Sequence, residues 1–383
     1  MISRTDARNL WSFVLDNYLL LVVGTLIALA WANIGHASYE RFAASLEFVV
    51  NDVGMVFFFA LATKEIVEST LPGGALSSPR EAAVPVLAAA GGMALPAGLY
   101  AVLAFSSGHP ELLRGWAVPC ATDIAFSYMA ARMIFPKGHP AIPFLLLLAI
   151  ADDAIGLVLL ALFYPTGPVS LVSFAAFMLP ALGVAYLLKR QRVRSFWAYT
   201  LLAGGLSWAA LHFGGIHPAL AMVPIVPFLP HAKRDLGFYA DEERELPDAM
   251  NQFHNWWHVP VQLILFLFGL VNAGVPLSSV GPGSWIVLTS LLVGKPLGIL
   301  LFTVGGIALG LRAPGGVRPW DVTMLGIVAG IGFTVALFFS TAAFPPGPLL
   351  DQVKMGALLS FAAFPVALLV GASSRLVRRT TRP

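Results

Sequence analysis

The chain has 383 residues, 58% of them hydrophobic and only 11% charged, with a net charge of +3 and a mean hydropathy of +0.80. A soluble domain carries about 25% charged residues, so a water-soluble fold is excluded and lipid must solvate most of the apolar surface. The single cysteine, Cys120, rules out an intramolecular disulfide.

In chain order, Met1–Arg8 is polar and mixed in charge, unlike the start of a cleavable signal peptide. Runs of about 20 mostly apolar residues, the length of one crossing, then recur about twelve times. They fall near 17–34, 46–66, 83–106, 117–135, 141–164, 168–188, 196–213, 217–229, 256–276, 284–309, 320–343 and 352–376. The first and the eighth are short. The expectation is one all-α polytopic domain over 1–383.

Lys and Arg orient the loops. With both termini in the cytoplasm, Arg4, Arg8, Arg80, Arg132, Lys137, Lys189–Arg194, Lys233, Arg234, Arg244, Arg312, Arg318, Arg375, Arg378, Arg379 and Arg382 fall inside. Only Arg41, Arg114 and Lys354 fall outside, an alternation that an odd number of spans would break. Cytoplasmic loops thus account for the basic charge, with no nucleic-acid partner. The longest of them covers roughly 230–250, and its acidic stretch Asp241–Asp248 reads as a solvated loop.

Two segments break the helical pattern at membrane depth: Ala117–Ala125, with Pro119, and Gly326–Gly332, with glycines at 326, 330 and 332. Each lies in the middle of a three-span group, 83–164 and 284–376. Interrupted spans at corresponding positions of two repeats mark a transporter's binding site, because irregular backbone survives at that depth only when buried or lining a cavity. The competing reading of the glycines is close helix packing.

Ionisable groups inside spans cost at least ~2.5–3.5 kcal/mol each. Here they are Asp52, Asp123, Asp152, Asp153 and Lys295, with Lys64 and Glu65 near a span end. Asp152 and Asp153 are adjacent, so on a helix they point about 100° apart. Two close carboxylates in a low dielectric repel each other, which suits the pair to hold a proton or a small hard cation. Competition for the same oxygens would couple the two. Lys295 must lose its proton or find a carboxylate; Asp152 is the first candidate and Asp123 the second. Asp123 follows Pro119 and Thr122 and would compensate free N–H groups at a half-helix start, with Lys295 doing so for free carbonyls. Thr122 offers a hydroxyl oxygen to a cation or a local backbone hydrogen bond. Asp52 reads as lining an access funnel or as an interfacial cap. Lys64 and Glu65 read as snorkelling to the headgroups. His254 and His258 flank Asn-Trp-Trp rather than a zinc-protease motif, so His254 and His217 are pH-response candidates and not metal ligands.

Five motifs then carry a family resemblance: Ala121-Thr-Asp-Ile-Ala-Phe126, Ala149-Ile-Ala-Asp-Asp153 with Gly156, Asn272-Ala-Gly-Val275, Gly294-Lys-Pro-Leu-Gly298 and Gly330-Ile-Gly-Phe-Thr334. Together and in this order the chain resembles the NhaA sodium/proton antiporters along nearly its whole length. The resemblance implies inverted-topology repeats with two discontinuous crossing helices in a bacterial inner membrane. It implies Asp153 as the primary Na+ ligand and proton carrier, with Asp152 and Thr122 beside it. Asp152 would pair with Lys295, Thr122 and Asp123 would sit at the crossing, and Asp52 would match an acid of the cytoplasmic funnel. The adjacent acids resemble the electrogenic branch, which exchanges two protons for one Na+ or Li+. No cofactor is implied beyond the transported ions.

The chain also departs from the family. The end of span two reads Ala60-Leu-Ala-Thr-Lys-Glu-Ile-Val-Glu-Ser69, with Glu65 in register but Lys64 new and the usual basic residues missing. Before span nine, His254 keeps a matching position while Phe253 stands where an acid is usual. Both regions are linked in the family to pH activation. The stretch Gly35–Ser45 reads as a loop too short for the family's dimer-forming β-hairpin, which leaves monomer and homodimer both open. Besides antiport, the altered span two motivates a Na+-coupled symporter of an anion or small organic acid on the same fold. An intramembrane aspartyl protease needs a Gly-x-Gly-Asp motif, and here Phe333 follows Gly330-Ile-Gly332, so the chain reads as a transporter and not an enzyme.

Overall fold

A long apolar run in lipid must satisfy its own backbone, and a helix does so within one segment. The computed structural model describes residues 19–136, 138–231, 248–312 and 316–380, with side chains to 371, and these residues contain no strand. Arg4, Arg8, Lys137, Lys233, Arg234, Arg244, Asp241 to Glu245, most of the 230–250 loop and Arg382 lie outside the described residues, as do the side chains of Arg375, Arg378 and Arg379.

In chain order the helices are α1 (Leu19–Ile34), α2 (His36–Glu47), α3 (Met55–Thr70), α4 (Pro79–Ser106), α5 (Ile124–Ile134), α6 (Ala141–Phe163), α7 (Leu171–Arg190), α8 (Gly205–Gly214) and α9 (Ala249–Asn272). They continue as α10 (Pro282–Thr289), α11 (Lys295–Ala308), α12 (Pro319–Ala329), α13 (Phe333–Ala343), α14 (Pro348–Leu359) and α15 (Ala363–Thr380). Among the described residues, three π-helical turns join neighbouring helices without a loop: Phe48–Gly54 between α2 and α3, Tyr199–Gly204 before α8, and Ser290–Gly294 between α10 and α11. Such turns are rare and concentrate at functional sites.

Among the described residues, six helical stretches are long and apolar enough to cross a membrane: His36–Thr70, Pro79–Ser106, Ala141–Phe163, Leu171–Arg190, Pro282–Ala308 and Pro348–Gly371. A seventh is the pair α12 and α13, bent by 51° at its break. The chain is thus a multi-pass, all-helical membrane protein.

Two expectations are corrected. The eighth run, 217–229, is not a helix but two 3₁₀ turns, Pro218–Leu220 and Val226–Phe228. Pro218, Pro224 and Pro227 remove donors and collide with the preceding turn, so an α-helix cannot propagate there. Gly35–Ser45 is not a loop: α2 starts at His36, contains no Pro or Gly, and runs through the π turn into α3.

The chain divides into two compact units. The first comprises Met1–Ser78 and Leu157–Gly274, the second Pro79–Gly156 and Val275–Pro383. In the first unit, α2 is tied to the end of α9 by the buried Tyr39, whose hydroxyl donates to Val271 O (2.8 Å) and accepts from Gly274 N (2.9 Å). Asn51, in the π turn, and Asn272 exchange reciprocal amide hydrogen bonds at 3.0 and 2.8 Å, and Phe57 stacks on Trp257. Both three-span groups fall within the second unit apart from the last residues of α6. There α11 is gripped from two sides: a Cβ on Gly298 would sit 2.1 Å from Gly91 O of α4, and one on Gly326 would sit 2.7 Å from Pro296 Cα. Only glycine allows backbones this close.

Candidate functional site

The chemistry-bearing residues of the second unit gather where two helices are broken. Residues 118–120 form a 3₁₀ turn, 121–123 are extended, and α5 begins at Ile124. The break therefore lies at Thr122 and Asp123, just after Pro119. The other break is Gly330–Gly332, between α12 and α13; Gly326 lies inside α12 and serves the close contact with α11.

Asp123 joins the two breaks. It caps α5 by accepting from Phe126 N (3.4 Å), and its other oxygen accepts from Thr334 N (3.2 Å) and from the Thr334 hydroxyl at the start of α13. One carboxylate thus meets the positive ends of two helices, the arrangement a helix dipole favours. Its own N–H donates to Ile331 O at 2.7 Å, and Ser127 Oγ donates to Val328 O at 2.9 Å, so carbonyls at the end of α12 are also satisfied.

Lys295 meets the opposite need. It is 0% exposed, and its Nζ donates to Cys120 O (2.5 Å) and to Asp152 Oδ2 (2.9 Å). The π turn Ser290–Gly294 ends directly before it. The same Asp152 oxygen accepts from the Thr122 hydroxyl at 2.5 Å. Of the two partners open for Lys295, Asp152 is the one observed. A buried ion pair repays its desolvation only with good geometry and further hydrogen bonds, and here the backbone carbonyl and the threonine supply them.

Two acceptors remain. Asp152 Oδ1 is buried and has no hydrogen-bond partner among the described residues. Asp153, half-buried and one position on, points elsewhere around α6 and receives no hydrogen bond from the described residues, yet it feels the charges of Asp152, Asp123 and Lys295. Buried acceptors are normally paired. An orphan carboxylate oxygen beside a second free carboxylate is a place for a proton or a small cation with oxygen ligands.

The first unit holds the remaining candidates. Asp52 lies in the π turn; its main-chain oxygen accepts from Trp208 Nε1 (2.8 Å), and its carboxylate is 4.0 Å from His217 Nδ1. Glu65 lies about 20 Å further along the same helix, where its carboxylate is 4.0 Å from His254 Nδ1 and 3.4 Å from Lys64 Nζ. Lys64 does not snorkel: it is 6% exposed and pairs with Glu68 one turn on. The i,i+4 spacing of Lys64 and Glu68 was legible, but the depth that makes the pair preferable to reaching for water was not. Thr334 was also missed as a site residue, although it closes the Gly-Ile-Gly-Phe-Thr motif. Cys120 contributes only a carbonyl, which no side-chain pattern reveals.

The family model of the Na+/H+ antiporter 1 matches residues 16–372. The chain belongs to this family. It is 46% identical over 365 residues to the Na+/H+ antiporter NhaA 2 of Pelobacter propionicus, covering 93% of this chain and 95% of that protein. It is 45% identical over 363 residues to the Na+/H+ antiporter NhaA of Geobacter sulfurreducens, covering 92% and 94%. Among solved structures it resembles the sodium proton antiporter MjNhaP1 from Methanocaldococcus jannaschii, with a TM-score of 0.58 at 14% identity over 94% of this chain and 90% of that one. At that identity the likeness speaks for the fold. Membership of the Na+/H+ antiporter 1 family agrees with the resemblance that the five motifs carry.

Proposed function

We propose that the chain exchanges Na+, or Li+, for protons by alternating access in a bacterial cytoplasmic membrane, as a transporter and not an enzyme. The observation that carries this reading is the asymmetric use of Asp152: Oδ2 is held by Lys295 and Thr122, while Oδ1 and the neighbouring Asp153 stay open. Asp153 is the main ligand and proton carrier. Asp152 Oδ1 and the Thr122 oxygen complete the cation's oxygen shell. A cation and a proton compete for these oxygens, so each can leave only when the other arrives. The family names of its relatives favour this reading over the symporter, which rests only on the altered end of span two.

In this reading twelve crossings, the eighth made by the 3₁₀ segment 217–229 rather than by an α-helix, place both termini in the cytoplasm, and 83–164 and 284–376 are inverted repeats whose broken helices cross at Asp123. Lys295 compensates the carbonyl end and Asp123 the two amide ends, so the breaks stay stable while the acids change occupancy. Exchange of two protons per Na+ makes transport electrogenic. With the connections at Gly35 and near Gly274 outside, Asp52 and His217 belong to the outer access path rather than the cytoplasmic funnel. Glu65, Lys64 and His254 then flank the cytoplasmic side, where they modulate exchange with pH.

The test is exchange in proteoliposomes, read with a pH dye on addition of Na+ or Li+. Wild type moves protons in response, and Asp153→Asn does not. Unchanged exchange by that variant overturns the assignment of Asp153. Solute uptake driven by Na+ without proton movement would favour the symporter instead.

A further inference from the structure

The proposed exchange leaves unused a recess in the second unit. Its floor is Val84 of α4, Phe144 of α6 and Thr303 of α11, all at most 2% exposed. The Thr303 hydroxyl is spent on Ile299 O at 2.6 Å, so the floor is effectively apolar. Its rim includes Val304 and Ile307, 46% and 44% exposed on a helical stretch apolar enough to cross a membrane, so the recess opens toward lipid. The remaining wall is Arg318 with its neighbours at the start of α12.

At this mouth and in the segments flanking it, three arginines stand against two acids. Arg318 is exposed, and among the described residues its guanidinium makes no ion pair or hydrogen bond; only its backbone N–H is used, donating to Asp321 Oδ2 at 2.9 Å. Arg80, one helical turn before Val84 on α4, and Arg312, just beyond α11, are likewise exposed and unpaired among the described residues. The nearby acids are Glu81, exposed beside Arg80, and Asp321, buried and committed to capping α12. Trp320, 39% exposed, adds the aromatic ring typical of the headgroup level.

An apolar recess facing lipid, with guanidinium groups at and beside its mouth that have no partner among the described residues, matches a molecule with an acyl chain at one end and an anionic phosphate at the other. Guanidinium groups bind phosphate through paired N–H donors. We infer that this recess is a binding site for an anionic phospholipid, its headgroup held by Arg318 and Arg80 and its chain lying against Val304 and Ile307. Such a lipid would bridge α4, α6, α11 and α12, and so would clamp the helices that carry Asp152 and Lys295. The inference requires only that the chain lies in a membrane, and it stands apart from the identity of the transported ions.

The experiment uses the purified full chain in a neutral detergent. Dioleoyl phosphatidylglycerol, dioleoyl phosphatidylcholine or inorganic phosphate is added, and bound lipid is counted by native mass spectrometry alongside the melting temperature. Phosphatidylglycerol should bind and raise the melting temperature, while phosphatidylcholine and inorganic phosphate do so weakly. Arg318→Gln should weaken phosphatidylglycerol binding about fivefold, with no change of melting temperature in phosphatidylcholine. Ile307→Trp, which fills the mouth without touching a charge, should lower retention of phosphatidylglycerol as well. Both positions are exposed, so neither variant threatens folding. Equal phosphatidylglycerol binding by wild type and both variants would overturn the site. So would inorganic phosphate reproducing the whole effect, since the recess would then have no part in it.

Discussion

Lys295 holds Asp152 by one oxygen only: Nζ donates to Oδ2 at 2.9 Å, and Oδ1 has no hydrogen-bond partner among the described residues. Removing the lysine alone leaves a buried carboxylate with little compensation, which typically costs about 3–5 kcal/mol. Lys295→Met is therefore expected to lower the melting temperature sharply. The double variant Asp152→Leu with Lys295→Met should recover most of that loss, because a well-packed apolar pair replaces an ion pair nearly neutrally, yet it should not restore Na+-dependent proton movement. Thermal melts and proteoliposome exchange on the same three proteins check both halves.

Thr334 gives Asp123 two donors, one from the backbone and one from the side chain. Thr334→Ser keeps both and should match wild type in stability. Thr334→Val keeps only the amide and should cost about 1.5–3 kcal/mol, the range for a hydrogen bond to a charged group. A chemical or thermal denaturation series on the two variants separates them. Equal stability would mean that the hydroxyl is dispensable at the helix break.

Glycines on α4 and α11 should behave in opposite ways. A Cβ on Gly298 would stand 2.1 Å from Gly91 O, whereas one on Gly98 meets nothing within 4 Å. Gly298→Ala should then destabilise by about 1–3 kcal/mol through overpacking and displace Lys295, three residues earlier, with loss of exchange. Gly98→Ala should be neutral or stabilising by about 0.5–1 kcal/mol, since alanine is the better helix former. The contrast is read from the two melting temperatures and the two exchange rates.

Lys64 is buried against Glu68 and Glu65 in the first unit. Were it snorkelling, Lys64→Met would be nearly silent. With two carboxylates left facing a buried methionine, the variant should instead lose stability, and Lys64→Met combined with Glu68→Gln should regain part of it. A double-mutant cycle on melting temperature measures this coupling.

The cost of charge in lipid made much of the site legible. A buried lysine demands a carboxylate, and that requirement singles out Asp152 and Asp123 as partners for Lys295. Helix ends demand opposite charge, and Asp123 meets that need at Thr334 and Phe126 as expected from its place beside a break. What stayed hidden came from backbone and from depth. Cys120 matters through its carbonyl, so its residue type carries no signal. The run 217–229 is apolar enough for a span, but its prolines decide the local structure. Gly35–Ser45 looks like a loop because it is polar, yet its residues propagate a helix that a π turn then carries on. Lys64 sits at a span end in the sequence, and only packing reveals that water is out of reach.

The π turn Ser290–Gly294 also sets a limit on how this gene can change. A loop absorbs the loss or gain of a residue, but here the chain passes from α10 to α11 without one, and Lys295 is the next residue. Deleting a single residue from the turn would rotate α11 by about 100° relative to α10 and swing the ammonium off Asp152 and the Cys120 carbonyl. Length variation among relatives should therefore be excluded from these five positions, even where the amino acids themselves vary.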